Sequence, residues 1–140
     1  MSESKVFLDT TPIIYLLDAD INYGEKNSRL LSSLATQGNH FMSSVITCTE
    51  YLVVPYRTNN HLAIEAFWEF VNDCSIDLYS VTKETSIKAA KIRAEYGFKT
   101  MDSLQLAVAS LTGCSMFLTN DKQLRQYRNV KCITVEEWDE

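Results

Sequence analysis

The chain has 140 residues, of which 46% are hydrophobic and 22% are charged, and its formal net charge is −5 at pH 7. This length predicts one globular domain, residues 1–140, with a sizeable core. No apolar run approaches the roughly 18 residues of a membrane-spanning helix, so we expect no membrane segment. The acidic balance argues against a protein wrapped in nucleic acid, whose surface is normally basic. If four acids bind cations, however, the rest of the chain is close to neutral.

The N-terminus and the cysteines indicate a cytoplasmic protein. The opening MSESKVFLD lacks the long apolar region of a signal peptide. The four cysteines form no CxxC pair, and the two histidines are not spaced with them as zinc ligands. We therefore expect buried, reduced thiols.

Strand and helix signals alternate through the first half of the chain. The predicted elements are a strand at 5–8, a helix from Pro12, a helix at 27–37, a strand at 40–44 and a helix at 45–57. Thr11 suits the N-cap before Pro12, a residue that favours the first helical position. The run 45–57 is rich in β-formers, but its length after Ser43 and Ser44 favours a helix.

The second half continues the alternation. Its predicted elements are a helix at 61–74, a strand at 76–81, a helix capped by Thr82 and ended by Gly97, a helix at 102–113, a strand at 115–119, a short helix at 121–127 and a strand at 131–135. Helical periodicity predicts that the buried residues include Ile64, Phe67, Trp68, Val71, Ile87, Ala90 and Ala94. Helices between five strands predict an α/β domain with a largely parallel sheet covered on both faces.

Two acids directly follow predicted strands. Asp9 comes after KVFL, and Asp121 comes after SMFLTN. Open α/β sheets bind ligands beyond the carboxyl ends of their strands, so both acids are candidates for one site. Helix capping is the alternative role. It is weak for Asp9, because Thr11 is the better cap, but it stays open for Asp121, which opens a short helix.

Glu50 is expected to project from an apolar helix face. Its neighbours one turn away are Ile46, Val53 and Val54. Burying an unpaired carboxylate costs several kcal/mol, so a basic residue, a proton or a metal ion must offset the charge. No Lys or Arg lies within one turn, which favours a cation from outside the helix.

Asp102 stands immediately before the apolar run of a predicted helix. Gln105, three residues later, makes a capping arrangement plausible on local grounds. An acid in the first turn of a buried helix can also point into a cleft, so capping and ligand binding are compatible here.

Four acids without matching histidines or cysteines form an all-oxygen environment. Such a site suits Mg²⁺ or Mn²⁺, as one ion or two, rather than Zn²⁺. A metal-bound water is a good nucleophile, and the cation offsets charge on phosphoryl oxygens. The implied reaction is metal-dependent hydrolysis of a phosphodiester.

At these positions the sequence resembles PIN-domain ribonucleases, most closely the VapC-type toxins of bacterial toxin–antitoxin pairs. The resemblance lies in four stretches, in order: FLDTTPIIYLL, SSVITCTEYL, KTMDSLQLAVAS and FLTNDKQL. It implies a central five-stranded parallel sheet flanked by about seven helices. It also implies Mg²⁺- or Mn²⁺-dependent cleavage of RNA, a homodimer, and inhibition by a small antitoxin protein.

The resemblance also implies residue roles. Asp9, Glu50, Asp102 and Asp121 would be the catalytic, metal-binding acids. Thr10 would orient the first acid, and Thr119 would support the site through its hydroxyl. Thr11 departs from the Asn or Ser of many members.

Substrate contacts are less specific. Arg57, Arg93 and Lys99 are the basic residues nearest the motifs and are candidates to hold backbone phosphates, with solvated surface charge as the alternative for each. A non-catalytic PIN-fold module that docks a protein partner is the second functional hypothesis. A haloacid-dehalogenase-like phosphatase is disfavoured, because its second Asp would stand where Thr11 does.

Overall fold

The structure is a computed structural model that describes residues 4–139. Within that range the sheet has five strands: β1 Lys5–Leu8, β2 His40–Ser44, β3 Asp77–Tyr79, β4 Met116–Thr119 and β5 Lys131–Thr134. Six α-helices accompany them: α1 Thr10–Leu17, α2 Gly24–Thr36, α3 Val45–Arg57, α4 His61–Asp73, α5 Lys83–Tyr96 and α6 Thr100–Leu111. A short 3-10 helix spans Lys122–Gln126. The predicted α/β class and the five strands are confirmed.

All the strands are parallel, in the order β3-β2-β1-β4-β5. Val6 of β1 pairs with Phe41 on one side and Met116 on the other. The chain builds outward from β1 to β3 and then crosses to the opposite side for β4. The strand order therefore reverses between β1 and β4, and a crevice forms where their carboxyl ends lie side by side.

Both faces of the sheet are buried, which explains why the central strands are continuously apolar. On one face, Phe7 stacks on Phe117 with ring centroids 5.2 Å apart, and α5 and α6 cover them. On the other, Leu8 and Leu118 pack against α1, α2 and α4 through residues such as Phe67. The two layers hold β1 and β4 rigidly, so the residues that follow them start from fixed positions.

Local capping explains where three of the helices begin. Ser44 accepts a hydrogen bond from the Ile46 amide and opens α3, as predicted. Thr82 caps α5, and Gly97 ends it with a φ of 75°. The prediction for α1 was wrong: Asp9, not Thr11, is its N-cap. The chain turns into α1 directly after the strand, which leaves Thr11 inside the helix.

Two predicted helix faces are also corrected. In α4 the fully buried aromatics are Phe67 and Phe70, while 44% of Trp68 is exposed. In α5 the buried residues are Thr85, Ala89 and Ile92, whereas Ile87, Ala90 and Ala94 are exposed. Small and apolar residues occur on several sides of α5, so its periodicity did not single out the side that packs on α6.

The cysteines carry no disulfide in the part of the chain that the structure describes. All four are free thiols; Cys114 is buried, Cys48 and Cys132 are partly buried, and Cys74 is exposed, which corrects the expectation for that residue. None of the helices between residues 4 and 139 has the length and apolar content that a membrane crossing requires.

Candidate active site at the carboxyl edge of the sheet

Asp9 is the most buried acid of the candidate site, with only 7% of the residue exposed. It follows β1, and its own amide donates to the carbonyl of Leu118 in β4 at 2.9 Å. Oδ1 accepts the Thr10 amide at 2.9 Å, and Oδ2 accepts the Thr119 hydroxyl at 2.9 Å. Both carboxylate oxygens therefore have fixed directions at the crevice between β1 and β4.

Burial raises the pKa of Asp9 from its ordinary value of 3.8 to about 7. The hydrogen bonds from Thr119 and Thr10 lower this pKa, and the charges of Asp102 and Glu50 raise it further. Removal from water and repulsion together outweigh the two hydrogen bonds. A carboxyl group of this kind gains a strong attraction for any cation that enters the crevice.

Asp102 lies half-buried in the first turn of α6. Its pKa is raised chiefly by burial, then by the charges of Asp121 and Glu50, while Lys99 lowers it. The predicted capping role was wrong. Lys99 occupies the N-cap without a side-chain hydrogen bond, and α6 begins at Thr100, two residues before the predicted start. Asp102 therefore does not cap α6, and the charges of two other carboxylates act on it.

Glu50 is exposed, which corrects the expectation of a buried carboxylate. Of its helix neighbours, Ile46 is buried, but Val53 and Val54 are themselves 45% and 53% exposed. Thr10 Oγ1 donates to Glu50 Oε1 at 2.6 Å. In the described part of the chain Glu50 forms no ion pair with Lys or Arg. The inference of a cation from burial therefore fails, and the case for one depends on the neighbouring acids.

Asp121 is exposed and caps the 3-10 helix, since its Oδ1 accepts the Gln123 amide at 3.0 Å. The capping role left open by the sequence is thus confirmed. The Asp121 amide donates to Thr119 Oγ1 at 3.1 Å, and the same hydroxyl donates to Asp9. Through Thr119, the segment after β4 is tied to the acid after β1.

The structure brings these four acids into one electrostatic neighbourhood. Asp9 is affected by Asp102 and Glu50, and Asp102 is affected by Glu50 and Asp121. A model of the PIN domain family matches residues 6–130, which is most of the chain. The chain belongs to the PIN-domain family.

Solved structures with the same fold are distant in sequence. VapBC2 from Rickettsia felis, bound to a promoter DNA fragment, is 14% identical with a TM-score of 0.77, and the match covers 93% of this chain and 98% of that one. FitAcB from Neisseria gonorrhoeae is 16% identical with a TM-score of 0.70, and the match covers 95% of this chain and 99% of that one. A toxin–antitoxin complex from Klebsiella pneumoniae is 17% identical with a TM-score of 0.67, and the match covers 93% of this chain and 97% of that one. Among curated proteins no significant relative was found.

The donor set of this PIN domain suits a hard divalent cation. Carboxylates are preferred ligands of Mg²⁺ and Mn²⁺, and a cation would relieve the repulsion that raises the pKa of both Asp9 and Asp102. Across residues 4–139, however, no three His, Cys, Asp or Glu side chains are gathered closely enough to hold one ion as they stand. At most two carboxylates would thus bind one ion directly. Waters and substrate oxygens would complete the coordination, an arrangement that Mg²⁺ favours.

The three candidate phosphate-binding residues differ in their surroundings. Lys99 acts on Asp102 electrostatically. Arg93 donates from Nη1 to the Phe98 carbonyl at 2.9 Å and so fastens the end of α5 to the chain before α6. Arg57 is exposed in the last turn of α3, seven residues after Glu50. Lys99 therefore interacts electrostatically with an acid of the site, whereas Arg93 is bonded to a backbone carbonyl.

Buried polar residues next to the acids were missed by sequence reasoning. Ser43, Ser44, Thr47 and Gln105 are all at most 1% exposed and bond to one another. The available signal was a set of polar residues inside apolar segments. The local prediction of a cap is right for Ser44, whereas Ser43 and Gln105 cap no helix. Their partners lie on other elements of the PIN domain.

Proposed function

We propose that this PIN domain is a metal-dependent endoribonuclease and the toxin of a toxin–antitoxin pair. The observation that carries the proposal is the repulsion of Asp9 by Asp102 and Glu50, and of Asp102 by Glu50 and Asp121, at the reversal of strand order. Membership of the PIN family supports nuclease chemistry. Burial and repulsion make the charged forms of Asp9 and Asp102 unfavourable in the folded protein, so a catalytic role explains these two acids better than a structural one.

A bound Mg²⁺ or Mn²⁺, one ion or two, would supply an activated water and offset charge on the phosphoryl oxygens. The protein's part is orientation. Asp9 is held at both oxygens by Thr10 and Thr119, and Thr10 in turn holds Glu50. Asp9 and Asp102 are the inner ligands in this proposal, while Glu50 and Asp121 would contact the waters of the ion from the exposed rim.

The substrate proposed for the site is RNA. A phosphodiester backbone approaching the acids passes Lys99, and this cation reduces the repulsion between the phosphates and Asp102. Arg57 and Arg93 are the further candidates for phosphate contacts at the exposed rim. Lys99 is the strongest of the three, because its charge already acts on one of the acids.

The proposed partner is a small antitoxin protein. The proposed assembly is a homodimer, and the proposed location is the cytoplasm. Support for the antitoxin comes from the similar structures, which include a toxin–antitoxin complex from Klebsiella pneumoniae, VapBC2 from Rickettsia felis and FitAB bound to a DNA fragment. At 14–17% identity these structures share the fold. The antitoxin partner is therefore proposed from the proteins that these structures contain.

The direct test is cleavage of total cellular RNA by the purified protein in Mg²⁺, Mn²⁺ or EDTA. The wild type is expected to cleave with metal and not with EDTA, and Asp9→Asn and Asp102→Asn are expected to abolish cleavage while the proteins stay folded. Asp73→Asn, at an exposed acid that ends α4, is the matched control and should cleave normally. Full activity of the Asp9→Asn, Asp102→Asn double variant would refute the assignment.

The alternative function is a non-catalytic PIN module that docks a protein partner. The observation in its favour is that no three of the described acids form a ready-made ligand group. Calorimetric titration with Mn²⁺ separates the two functions. A folded, monodisperse protein that binds no Mn²⁺ at millimolar concentration would favour the docking module.

A further inference from the structure

A chain of hydrogen bonds runs beneath the acids and joins three elements of the fold. Ser44, at the end of β2, donates to Gln105 Oε1 of α6. Gln105 Nε2 donates to Thr47 Oγ1 of α3 at 2.9 Å. Thr47 Oγ1 lies 2.8 Å from Ser43 Oγ and 3.2 Å from Thr10 Oγ1. We refer to Ser43, Ser44, Thr47 and Gln105 as the buried polar chain.

The protons of the buried polar chain can be assigned by counting the hydrogens on each group. Ser43 donates to the Leu8 carbonyl at 2.7 Å, and Thr10 donates to Glu50. Neither hydroxyl has a second proton, so Thr47 donates its own single proton to the nearer of the two, Ser43 at 2.8 Å, and its 3.2 Å contact with Thr10 carries no hydrogen bond. Thr47 must then accept from Gln105, which fixes the orientation of the Gln105 amide. The donor direction runs from Ser44 through Gln105 and Thr47 to Ser43 and the Leu8 carbonyl, at the end of the strand that precedes Asp9.

Gln105 stands at the point where this chain meets α6. It lies three residues after Asp102 and therefore on the same side of the helix. Its amide is 1% exposed, and both ends of it are bonded to residues outside α6. A buried amide with both partners satisfied stays in place, because any shift of α6 would leave polar groups unpaired away from water.

We propose that Gln105 is a positioning residue that sets the relative placement of Asp102 and Glu50. It does so by fixing α6 against α3 and by completing the hydrogen bonds of Thr47, which lies three residues before Glu50 on α3. This inference rests on the proposed nuclease function, since it explains how acids on two separate helices keep the spacing that metal binding needs. Residues that orient ligands from behind commonly change metal affinity or activity about 10- to 100-fold when replaced.

The first test is the double variant Gln105→Leu, Thr47→Val. Removing both partners leaves no unpaired group between α6 and α3, but the buried Ser44 hydroxyl loses its acceptor, so the protein should fold with a somewhat lower melting temperature than the wild type. Mn²⁺ affinity, measured by calorimetry, is expected to fall at least 10-fold. In RNA cleavage the loss should appear in kcat, with little change in KM, because no residue that contacts substrate is altered.

The second test compares Thr47→Ser with Thr47→Val, since one keeps the hydroxyl and the other keeps the shape. Thr47→Ser is expected to retain the metal affinity that Thr47→Val loses, although serine removes a buried methyl group. If Thr47→Val binds Mn²⁺ as tightly as Thr47→Ser, packing rather than hydrogen bonding sets the geometry and the proposal is wrong. This comparison does not depend on the folding of the double variant.

The outcomes separate this proposal from the nuclease assignment. Wild type that binds Mn²⁺ without cleaving RNA would overturn the nuclease function, and the positioning role would then be judged on affinity alone. A folded double variant with wild-type affinity and kcat would overturn the positioning role and leave the nuclease function intact. Wild type that binds no Mn²⁺ would overturn both, because no metal site would remain to be positioned.

Discussion

Thr119 Oγ1 donates a hydrogen bond of 2.9 Å to Asp9 Oδ2, so the ends of two adjacent strands are joined at the candidate site. The same oxygen accepts the amide of Asp121 at 3.1 Å. Thr119 is itself almost completely buried. One hydroxyl thus aligns the most buried acid of the site and the backbone that carries another.

Replacing Thr119 by Val is therefore expected to weaken catalysis while preserving side-chain volume. The pKa of Asp9 should rise, because the Thr119 hydroxyl is the largest of the hydrogen bonds that lower it. RNA cleavage should fall about 10- to 100-fold, the usual effect of losing a group that orients a metal ligand. Thr119→Ser keeps the hydroxyl and should cleave much faster than Thr119→Val; equal rates would show that this hydrogen bond is unimportant.

The pKa of Asp9 also predicts how stability changes with pH in EDTA. An unfolded Asp titrates near 3.8, whereas Asp9 in the folded protein titrates near 7. The folded state thus binds this proton more tightly, and its stabilising effect, complete below pH 4, is lost as the pH rises to about 7. Asp9→Asn should remove this loss and become more stable than the wild type, by roughly 3 kcal/mol more at pH 8 than at pH 5.

Denaturant unfolding at both pH values, with Asp73→Asn as the reference, measures the difference. If the free energies of unfolding of wild type and Asp9→Asn changed in parallel between the two pH values, burial would not raise the pKa of Asp9 and the prediction would be wrong. A more stable but inactive Asp9→Asn would be the expected sign of a site whose function is costly for folding.

The fold was largely predictable because its strands are short apolar runs, each bounded by polar residues. Phe7 and Phe117 lie on strands buried on both faces, and such strands are recognisable from composition alone. The length of the run 45–57 correctly outweighed its β-type composition, because a strand of that length would be unusual.

The errors arose where a local pattern had to stand in for a distant contact. Glu50 has apolar neighbours on α3, but two of them, Val53 and Val54, remain exposed, and coverage by other elements cannot be inferred from one helix. Thr11 before Pro12 is a good local cap, yet the N-cap of α1 is Asp9, because its contacts with Thr119 and Leu118 fix the end of the strand. Gln105 likewise bonds across the fold rather than along its helix.

Ser103, next to Asp102 in α6, predicts a stabilising substitution. Its hydroxyl is buried, and it has no hydrogen-bonding partner among the described residues. Ser103→Ala removes a polar group that loses water on folding without replacement, so the free energy of unfolding should increase by about 1 kcal/mol. Ser110→Ala on the same helix should act in the opposite direction, because Ser110 bonds to the Tyr127 hydroxyl at 3.1 Å. Thermal unfolding of both variants would decide, and a lower melting temperature for Ser103→Ala would contradict the prediction.

Lys99 is expected to contribute to RNA binding rather than to chemistry. Lys99→Gln removes the cation whose charge acts on Asp102, so KM should rise several-fold with little change in kcat. The plot of log KM against log salt should become shallower by about 0.7, the slope that one phosphate contact contributes on a single strand. Lys83→Gln, at an exposed position in the first turn of α5, should leave both quantities unchanged. An unaltered salt slope for Lys99→Gln would place the phosphate contact elsewhere, with Arg57 as the next residue to test.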